Sequence, residues 1–443
     1  MKTTKGEVSF RGKTHPIRTL DHDVALFVCL DTSDGDSTCV PRERLAFLKP
    51  YQRINRIHGI RNIFWRKDGF CKLCNNVLSG WATAPFIMQC FIVPSQRDEL
   101  EAAGKASPTQ SWILKPPLGA EGMGIKVYDT VRSLMSSLRG PSSYVVQPYL
   151  NNPFLINGYK TDLRTYVLVT RLSPLVVYLY SEGLVRFASS KYQSGAKNGG
   201  SRNQFLTNTF ANANGEKGRT LNELTWTFSK FRSYLANEGH DVKEVFNRMH
   251  AAIRGTLLAG EGEYVKQLEE VEAGLENSQS FQLLGVDVMF DDKLNPYVIE
   301  VNGNPSMKLS GDAGSDYDHT KSGMLHDILS VVFDNRNEGA TAATIERAVD
   351  EGRVEVTSTG CPNAAKVPCL TEKEIFYLHQ LAAEAGSGGV KPDYTETGFY
   401  RIFPAQEETE EVSKISDITG TCKKYKHRLC SQRGAQLARL LSF

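Results

Sequence analysis

Apolar, β-favouring residues are concentrated between residues 161 and 189. The runs 161–170 and 175–180 are dense in Val, Leu, Thr and Tyr, with a turn at Ser173 and Pro174 between them, and a shorter run at 184–189 follows Glu182 and Gly183. Such runs bounded by turn residues predict strands. The spacing changes at 221–235 and 242–258, where apolar residues recur at three and four residues and predict helices. A charged helix at 264–277 then leads into 281–305, FQLLGVDVMFDDKLNPYVIEVNGNP, which reads as two apolar strands joined by a turn at 291–295. A last helix is predicted at 325–332.

Upstream, residues 20–95 mix apolar segments (24–30, 86–93) with Gly, Pro and Asp turns, and a polar helical patch at 95–107 precedes a strand at 112–115. A Gly-rich loop, a strand, a helix at 130–138 and a strand at 144–147 follow. Residues 193–218 turn to Gly, Asn and Ser, apart from 205–210, and read as a mobile loop. After residue 335 only a short helix at 372–385, an acidic run and a basic end stand out. The pattern predicts an α+β chain with a mixed N-terminal domain (1–95), a central domain (96–180), a C-terminal antiparallel-sheet domain (181–335) and a partly disordered appendage (336–443).

The hairpin at 281–305 carries chemistry. Strand side chains alternate faces, and reflection about Lys293 and Leu294 sets Asp287 opposite Glu300, with Asn302 two residues on and facing the same way. Opposed carboxylates in Val- and Ile-rich strands are costly unless something positive lies between them. Oxygen donors without Cys or His favour a hard cation, and magnesium binds through one or two carboxylates together with phosphate oxygens. The bland alternative is an exposed edge hairpin whose acids face water.

Other residues point to an anionic ligand. Lys115 ends a strand and is followed by PPLGAEGMGIKVY, in which Gly119, Gly122 and Gly124 allow backbone N–H groups to approach phosphates. This is neither a Walker A loop nor a dinucleotide fingerprint. Gln147, Pro148, Tyr149 and Leu150 form a strand running into a proline, a hinge whose backbone could read an adenine edge. Lys160, Asp162 and Arg164 alternate along GYKTDLRTYVLV and share a face, and Arg186 is a third cation on a short strand. Cations among Val and Leu need an acidic or phosphate partner; structural ion pairs with Asp162 and Glu182 are the competing reading.

Net charge, +2 over 443 residues, argues against nucleic acid as the main partner, but nine Lys or Arg between residues 42 and 72 face only Glu43 and Asp68. That stretch is expected to attract an acidic polymer. The first twenty residues lack a signal peptide's apolar core and no run is long and clean enough to cross a membrane, so a cytoplasmic protein is expected. The nine cysteines are expected to be reduced thiols, and the lone CxxC at Cys71 and Cys74 is a weak zinc signal.

The Lys115 loop, KTDLR, LVRFASSKY, Leu206-Thr207-Asn208 and DVMF…VIEVNGNPS occur in one order, preceded by RINRIHGIRNIFWRKD, and over residues 51–333 the chain resembles the tubulin tyrosine ligase-like family. The resemblance implies an ATP-grasp fold and ATP and Mg2+ as cofactors. It implies that Lys115 and the loop with Gly119, Gly122, Gly124 and Ile125 hold phosphates, that Gln147, Pro148, Tyr149 and Leu150 hold adenine, and that Asp162, Thr207 and Asn208 line the nucleotide. Asp287, Glu300 and Asn302 would hold the metal, and Lys160, Arg164 and Arg186 would act on the γ-phosphate and an acyl phosphate formed from it. The implied activity is ligation of a free amino acid, glutamate first and glycine or tyrosine as alternatives, to the acidic tail of tubulin. The protein would be a monomer on microtubules of the cytoskeleton, cilium or flagellum. Family members often carry Lys or Arg in place of Glu121, Lys in place of Pro148 and His in place of Phe205, and these departures motivate a second reading, a nucleotide- or microtubule-binding protein without ligase activity.

Overall fold

The structure is a computed structural model and describes residues 6–10, 13–17, 25–29, 52–57, 60–64, 66–80, 86–118, 122–138, 142–172, 175–193, 207, 220–260, 263, 279–312, 314–333, 350–351, 355–357, 369–371 and 398–403. Helices and antiparallel sheets are mixed. The first strands are β1 (Gly6–Phe10), β2 (Lys13–Ile17), β3 (Leu26–Phe27) and β4 (Arg53–Ile54), followed by helices α1 (Ile60–Phe64) and α2 (Lys67–Gly80).

A four-stranded antiparallel sheet comes next, in the order β5 (Phe91–Val93), β8 (Tyr144–Pro148), β6 (Trp112–Lys115), β7 (Lys126–Tyr128), with helices α3 (Arg97–Ala106) and α4 (Val131–Ser137). Helix α4 begins where Thr130 accepts a hydrogen bond from the Ser133 N–H, a side chain replacing a missing intrahelical acceptor.

The larger sheet has eight strands and is built around β10 (Tyr159–Leu172). One edge of β10 pairs first with β12 (Leu184–Phe187) and further along with β11 (Leu175–Tyr180), while β14 (Gln282–Phe290) pairs along its other edge and carries β15 (Pro296–Asn302) outside it. Strands β9 (Leu155–Ile156) and β13 (Thr225–Thr227) complete this part. The expected boundary between residues 180 and 181 therefore falls inside one sheet, between two strands that both bond to β10. Pairing at long sequence separation overrides a boundary drawn from local composition.

Period two explains how the sheet is covered. Leu163, Val167 and Val169 face a core with Phe231, Phe246 and Ile253 from helices α5 (Phe228–Asn237) and α6 (Val242–Ala259). Tyr166 and Leu168 face the other way, toward Met324, Ile328 and Val332 of helix α7 (Asp316–Phe333). Both faces are buried, which is why β10 and β11 read as near-continuous apolar runs. The helix expected over 221–235 starts only at Phe228, because Thr225-Trp226-Thr227 pairs with β12 and Thr227 then caps the helix by accepting from the Lys230 N–H.

Two further features depart from expectation. Cys71 in α2 and Cys90 before β5 are joined as a disulfide with Cα atoms 5.7 Å apart, rather than standing as reduced thiols. Folding α2 onto β5 creates that proximity, which a separation of 19 residues does not advertise. Second, β18 (Phe399–Phe403), from the presumed appendage, pairs with β11 and so belongs to the main sheet; two short strands, β16 (Glu355–Thr357) and β17 (Cys369–Thr371), pair with each other. Tyr400 and Ile402 are buried, and the Tyr400 hydroxyl lies 3.0 Å from His250 Nε2 on α6. Among the described residues no helix is long and apolar enough to cross a membrane.

If β18 is part of the cooperative core, Ile402→Ala should cost about 2 kcal/mol in urea unfolding, the lower end for deleting a buried Ile side chain. A change within about 0.5 kcal/mol, the range of ordinary surface substitutions, would detach the strand from the folded unit.

Candidate active site

Strand register builds the site. Asp162 lies opposite Arg186 across β10 and β12, and Arg164 lies opposite Asp287 across β10 and β14. Asp287 in turn lies opposite Glu300 on β15, and Asn302 opposite Gly285. Opposite charges thus face each other between β12 and β10 and between β10 and β14, whereas the pair across β14 and β15 is of like sign. The reflection that sets Asp287 against Glu300 holds only on one side of an irregularity: Val288 pairs with Val298, so Ile299 is an extra residue on β15. Bulges of this kind re-aim side chains beside functional sites.

Arg164 Nε donates to Asp287 Oδ1 at 2.5 Å and its terminal nitrogen to Oδ2 at 3.1 Å. Arg186 forks onto Asp162 with two contacts of 2.6 Å and reaches Asp287 Oδ2 at 2.9 Å. The Thr207 hydroxyl donates to Asp162 at 2.6 Å. Glycine at 285 permits this arrangement, since a Cβ there would stand 3.2 Å from Arg164 Cδ and 2.9 Å from Pro305 Cβ. Burial alone would raise the Asp287 carboxyl, but the charges and hydrogen bonds of Arg164 and Arg186 outweigh it and hold the group below the ordinary carboxylate range. Burial opposes the charge on Arg186 too, and Asp162 and Asp287 more than compensate. The competing expectation of ion pairs is thus realised with Asp162 and Asp287; Glu182 instead pairs with Arg232.

Two lysines approach from the other sheet and from the end of β10. Lys115 Nζ donates to Gln147 Oε1 at 2.8 Å, and Lys160 Nζ to the Tyr149 hydroxyl at 2.8 Å. Burial lowers Lys115 to about 8, with Glu300 opposing and Lys67 adding to the fall, and lowers Lys160 to about 7, with Asp162 opposing and Lys115 adding. Lys115, Gln147, Glu300 and Asn302 share one cleft of about 380 Å³, counted with its open mouth. Glu300 meets Lys67 at 3.8 Å. The Tyr149 N–H is already given to the Ser111 carbonyl at 2.7 Å. Gly122 and Gly124 both have positive φ, 70° and 72°, and a Cβ at 124 would meet Pro116 at 2.6 Å, so the loop folds back against its own start only with glycine there. Ile125 closes that turn, its N–H donating to the Gly122 carbonyl at 3.3 Å.

The cleft is thus lined by Lys67, Lys115, Gln147, Glu300 and Asn302, with the Arg164–Asp287–Arg186–Asp162 network on the neighbouring strands. The family model described as "Tubulin-tyrosine ligase family" matches residues 46–340. The chain belongs to the tubulin-tyrosine ligase family. Similar curated proteins include tubulin monoglutamylase TTLL4 of Homo sapiens (33% identical, covering 64% of this chain and 24% of that protein) and probable tubulin polyglutamylase TTLL2 of Mus musculus (32%, covering 68% and 54%). Tubulin polyglutamylase TTLL6 of Mus musculus is 30% identical, covering 66% of this chain and 35% of that protein. The chain therefore spans between about a quarter and about half of the length of these relatives.

Within the tubulin-tyrosine ligase stretch, the structure brings together Lys115, Gln147, Lys160, Asp162, Arg164, Arg186, Thr207, Asp287, Glu300 and Asn302, while Gly119, Glu121, Phe205 and Asn208 lie outside the described residues. Asn302 turns its Nδ2 toward Asp287 Oδ2 at 3.4 Å, both Asp287 oxygens meet arginine, and among the described residues no group of three or more His, Cys, Asp or Glu could hold a metal ion. The basic stretch 42–72 is only partly a surface. Arg56 is 2% exposed and donates to the Cys29 carbonyl, and Arg53 donates to the carbonyls of Val332 and Gln52; their guanidinium groups cap backbone rather than await a partner. Sequence reasoning missed the Tyr149 hydroxyl and Gly285. A glycine inside the apolar strand LLGVDV was the available signal for the latter.

Arg186→Met should lower stability at pH 7 by about 3 kcal/mol, because Asp162 and Asp287 lose a shared buried partner. The contribution of Asp287 is present above its unfolded pKa of about 3.9 and is lost as pH falls toward the depressed folded value, so the gap between wild type and variant should narrow in acid. Urea titrations at pH 7 and about pH 2.5, between the folded and unfolded values, check this; an equal gap at both would remove Asp287 from the network.

Proposed function

We propose that the chain is an ATP-dependent carboxylate–amine ligase of ATP-grasp architecture that adds an amino acid, glutamate first, to the acidic tail of tubulin. One observation carries the reading: Lys115, Lys160, Arg164 and Arg186 converge beside Asp287, Glu300 and Asn302 inside the family-matched stretch, an arrangement made for gathering negative charge. The relatives named as tubulin glutamylases support glutamate over glycine or tyrosine, and tubulin as partner would mean association with the cytoskeleton.

In the proposed reaction a carboxylate oxygen of the acceptor attacks the γ-phosphorus of ATP, the bond to the bridging oxygen breaks, and ADP leaves. The amine of the incoming amino acid then attacks the acyl carbon, the bond to phosphate breaks, and an amide, inorganic phosphate and a proton result. Bringing three anions together is the main barrier, so fixed cations supply most of the acceleration. Lys115 and Lys160 neutralise phosphate oxygens. Arg164 and Arg186, clamped by Asp162 and Asp287, present oriented N–H groups to the transferring phosphoryl group without reorganising. Asp287, Glu300 and Asn302 would hold magnesium, which when bound screens the β- and γ-phosphates. The hinge at Gln147–Leu150 receives adenine.

The deciding experiment incubates purified protein with ATP, magnesium, tubulin and glutamate, glycine or tyrosine, and reads the tubulin tails by mass spectrometry. Glutamate addition is expected; nucleotide binding without any addition would favour the inactive reading that Glu121, Pro148 and Phe205 motivate. Arg164→Ala should slow addition roughly 10²- to 10³-fold, as for one lost charge-stabilising donor. Glu300→Gln should abolish addition and weaken the magnesium dependence of ATP binding while the unfolding midpoint stays put.

Proton linkage gives an independent check. Lys160 at about 7 and Lys115 at about 8 are largely or partly neutral at pH 8, and adjacent phosphates should raise both, so binding of ATP takes up protons. Calorimetry in two buffers of different ionisation enthalpy should show net uptake at pH 8, reduced in Lys160→Met. Proton release would contradict the placement of phosphate beside these lysines.

A further inference from the structure

Lys160 is buried and held by a phenol, and that phenol is itself held. The ammonium group donates to the Tyr149 hydroxyl at 2.8 Å and lies 4.5 Å from the centre of the same ring. The Tyr149 hydroxyl is hydrogen-bonded to that of Tyr192, whose own proton goes to the Asn151 carbonyl at 2.7 Å. A carbonyl can only accept. With the Tyr192 proton spent on it, Tyr149 is the donor between the two phenols, and the Tyr149 oxygen turns a lone pair toward Lys160. The chain of bonds therefore has a direction, from Lys160 through Tyr149 and Tyr192 to Asn151.

Tyr192 is well fixed for this. Its N–H donates to the Gly158 carbonyl at 2.9 Å, two residues before Lys160, and the Ala188 N–H donates to the Lys160 carbonyl at 2.9 Å, so the segment after β12 is tied to the start of β10. Its ring packs with Ile113, Val127 and Tyr149. Burial pushes both phenols above their ordinary range, so each keeps a proton to donate. The charged groups facing Lys160 are Asp162 on its own strand, which favours the ammonium form, and Lys115 on β6, which opposes it; Arg186 on β12 is committed to Asp162 and Asp287.

A lone pair stabilises an ammonium group, whereas a hydroxyl proton stabilises the neutral amine. Resting on the ligase reading for what Lys160 binds, we propose that Tyr192 is a positioning residue: acting through Tyr149, it keeps an oxygen lone pair aimed at Lys160 and holds the lysine as a cation for phosphate oxygens. Without the Tyr192 hydroxyl, the Tyr149 proton is released to turn toward Nζ, and the neutral amine gains.

The test titrates Lys160 in the ligand-free protein by NMR of lysine isotope-labelled at Cε, with the Lys160 signal identified by its loss in Lys160→Arg. The wild-type midpoint is expected at about 7. Tyr192→Phe, which keeps the ring, should lower the proton affinity of Lys160 about tenfold, the weight of one hydrogen bond. Tyr149→Phe should lower it too, and the double variant should match Tyr149→Phe within about twofold, because Tyr192 acts through Tyr149. Calorimetry of ATP binding at pH 7 in two buffers of different ionisation enthalpy should show about 0.4 of a proton more taken up by Tyr192→Phe than by wild type, since less of its Lys160 starts charged. An unchanged or raised midpoint in Tyr192→Phe would overturn the proposal, and so would effects of the two substitutions that simply add. If the wild type binds no ATP, the ligase reading fails, and the ligand-free titration decides the role of Tyr192 by itself.

Discussion

A carboxylate buried between strands is tolerable only if its charge is answered within a few ångströms, and Asp287 is answered by two guanidinium groups. That requirement organises the sheet. Arg164 and Arg186 come from different strands, and both can reach Asp287 only if β10 runs between β12 and β14 in the observed register. Asp162 then anchors Arg186 from the neighbouring position on β10, and Thr207 anchors Asp162. The network ties β10, β12 and β14 to one another through four charges, Asp162, Arg164, Arg186 and Asp287.

The two lysines obey a different logic. Lys115 donates to a neutral amide and Lys160 to a phenol, and burial lowers both below the ordinary lysine range although Glu300 and Asp162 oppose the fall. The arginines, answered directly by carboxylates, keep their charge.

Much of this was readable from residue patterns. Period-two spacing along KTDLR shows that Lys160, Asp162 and Arg164 share a face, and the turn at 291–295 sets Asp287 against Glu300. What escaped was what depends on distant chain meeting distant chain. The reflection argument could not show that a bulge at Ile299 is needed for that opposition, and charge counting could not tell that Arg56 is buried against the Cys29 carbonyl. The boundary expected after residue 180 falls at the turn before the next strand, yet the strands on both sides of it bond to β10. Cys71 and Cys90 meet for the same reason, a proximity made by packing. Local pattern reveals which residues share a face; it does not reveal which faces will touch.

Strand β18 carries this furthest. The family match stops at residue 340, yet β11 finds its outer neighbour in residues 399–403. The segment recognised as kin and the segment that satisfies its own backbone are therefore different lengths of chain. A version trimmed to the family limits would expose the N–H and C=O groups along the outer side of β11, an open ladder of Val, Leu and Tyr that invites pairing with another molecule. In inheritance, sequence beyond the recognised segment can change freely only so long as some stretch of it still returns to close that edge.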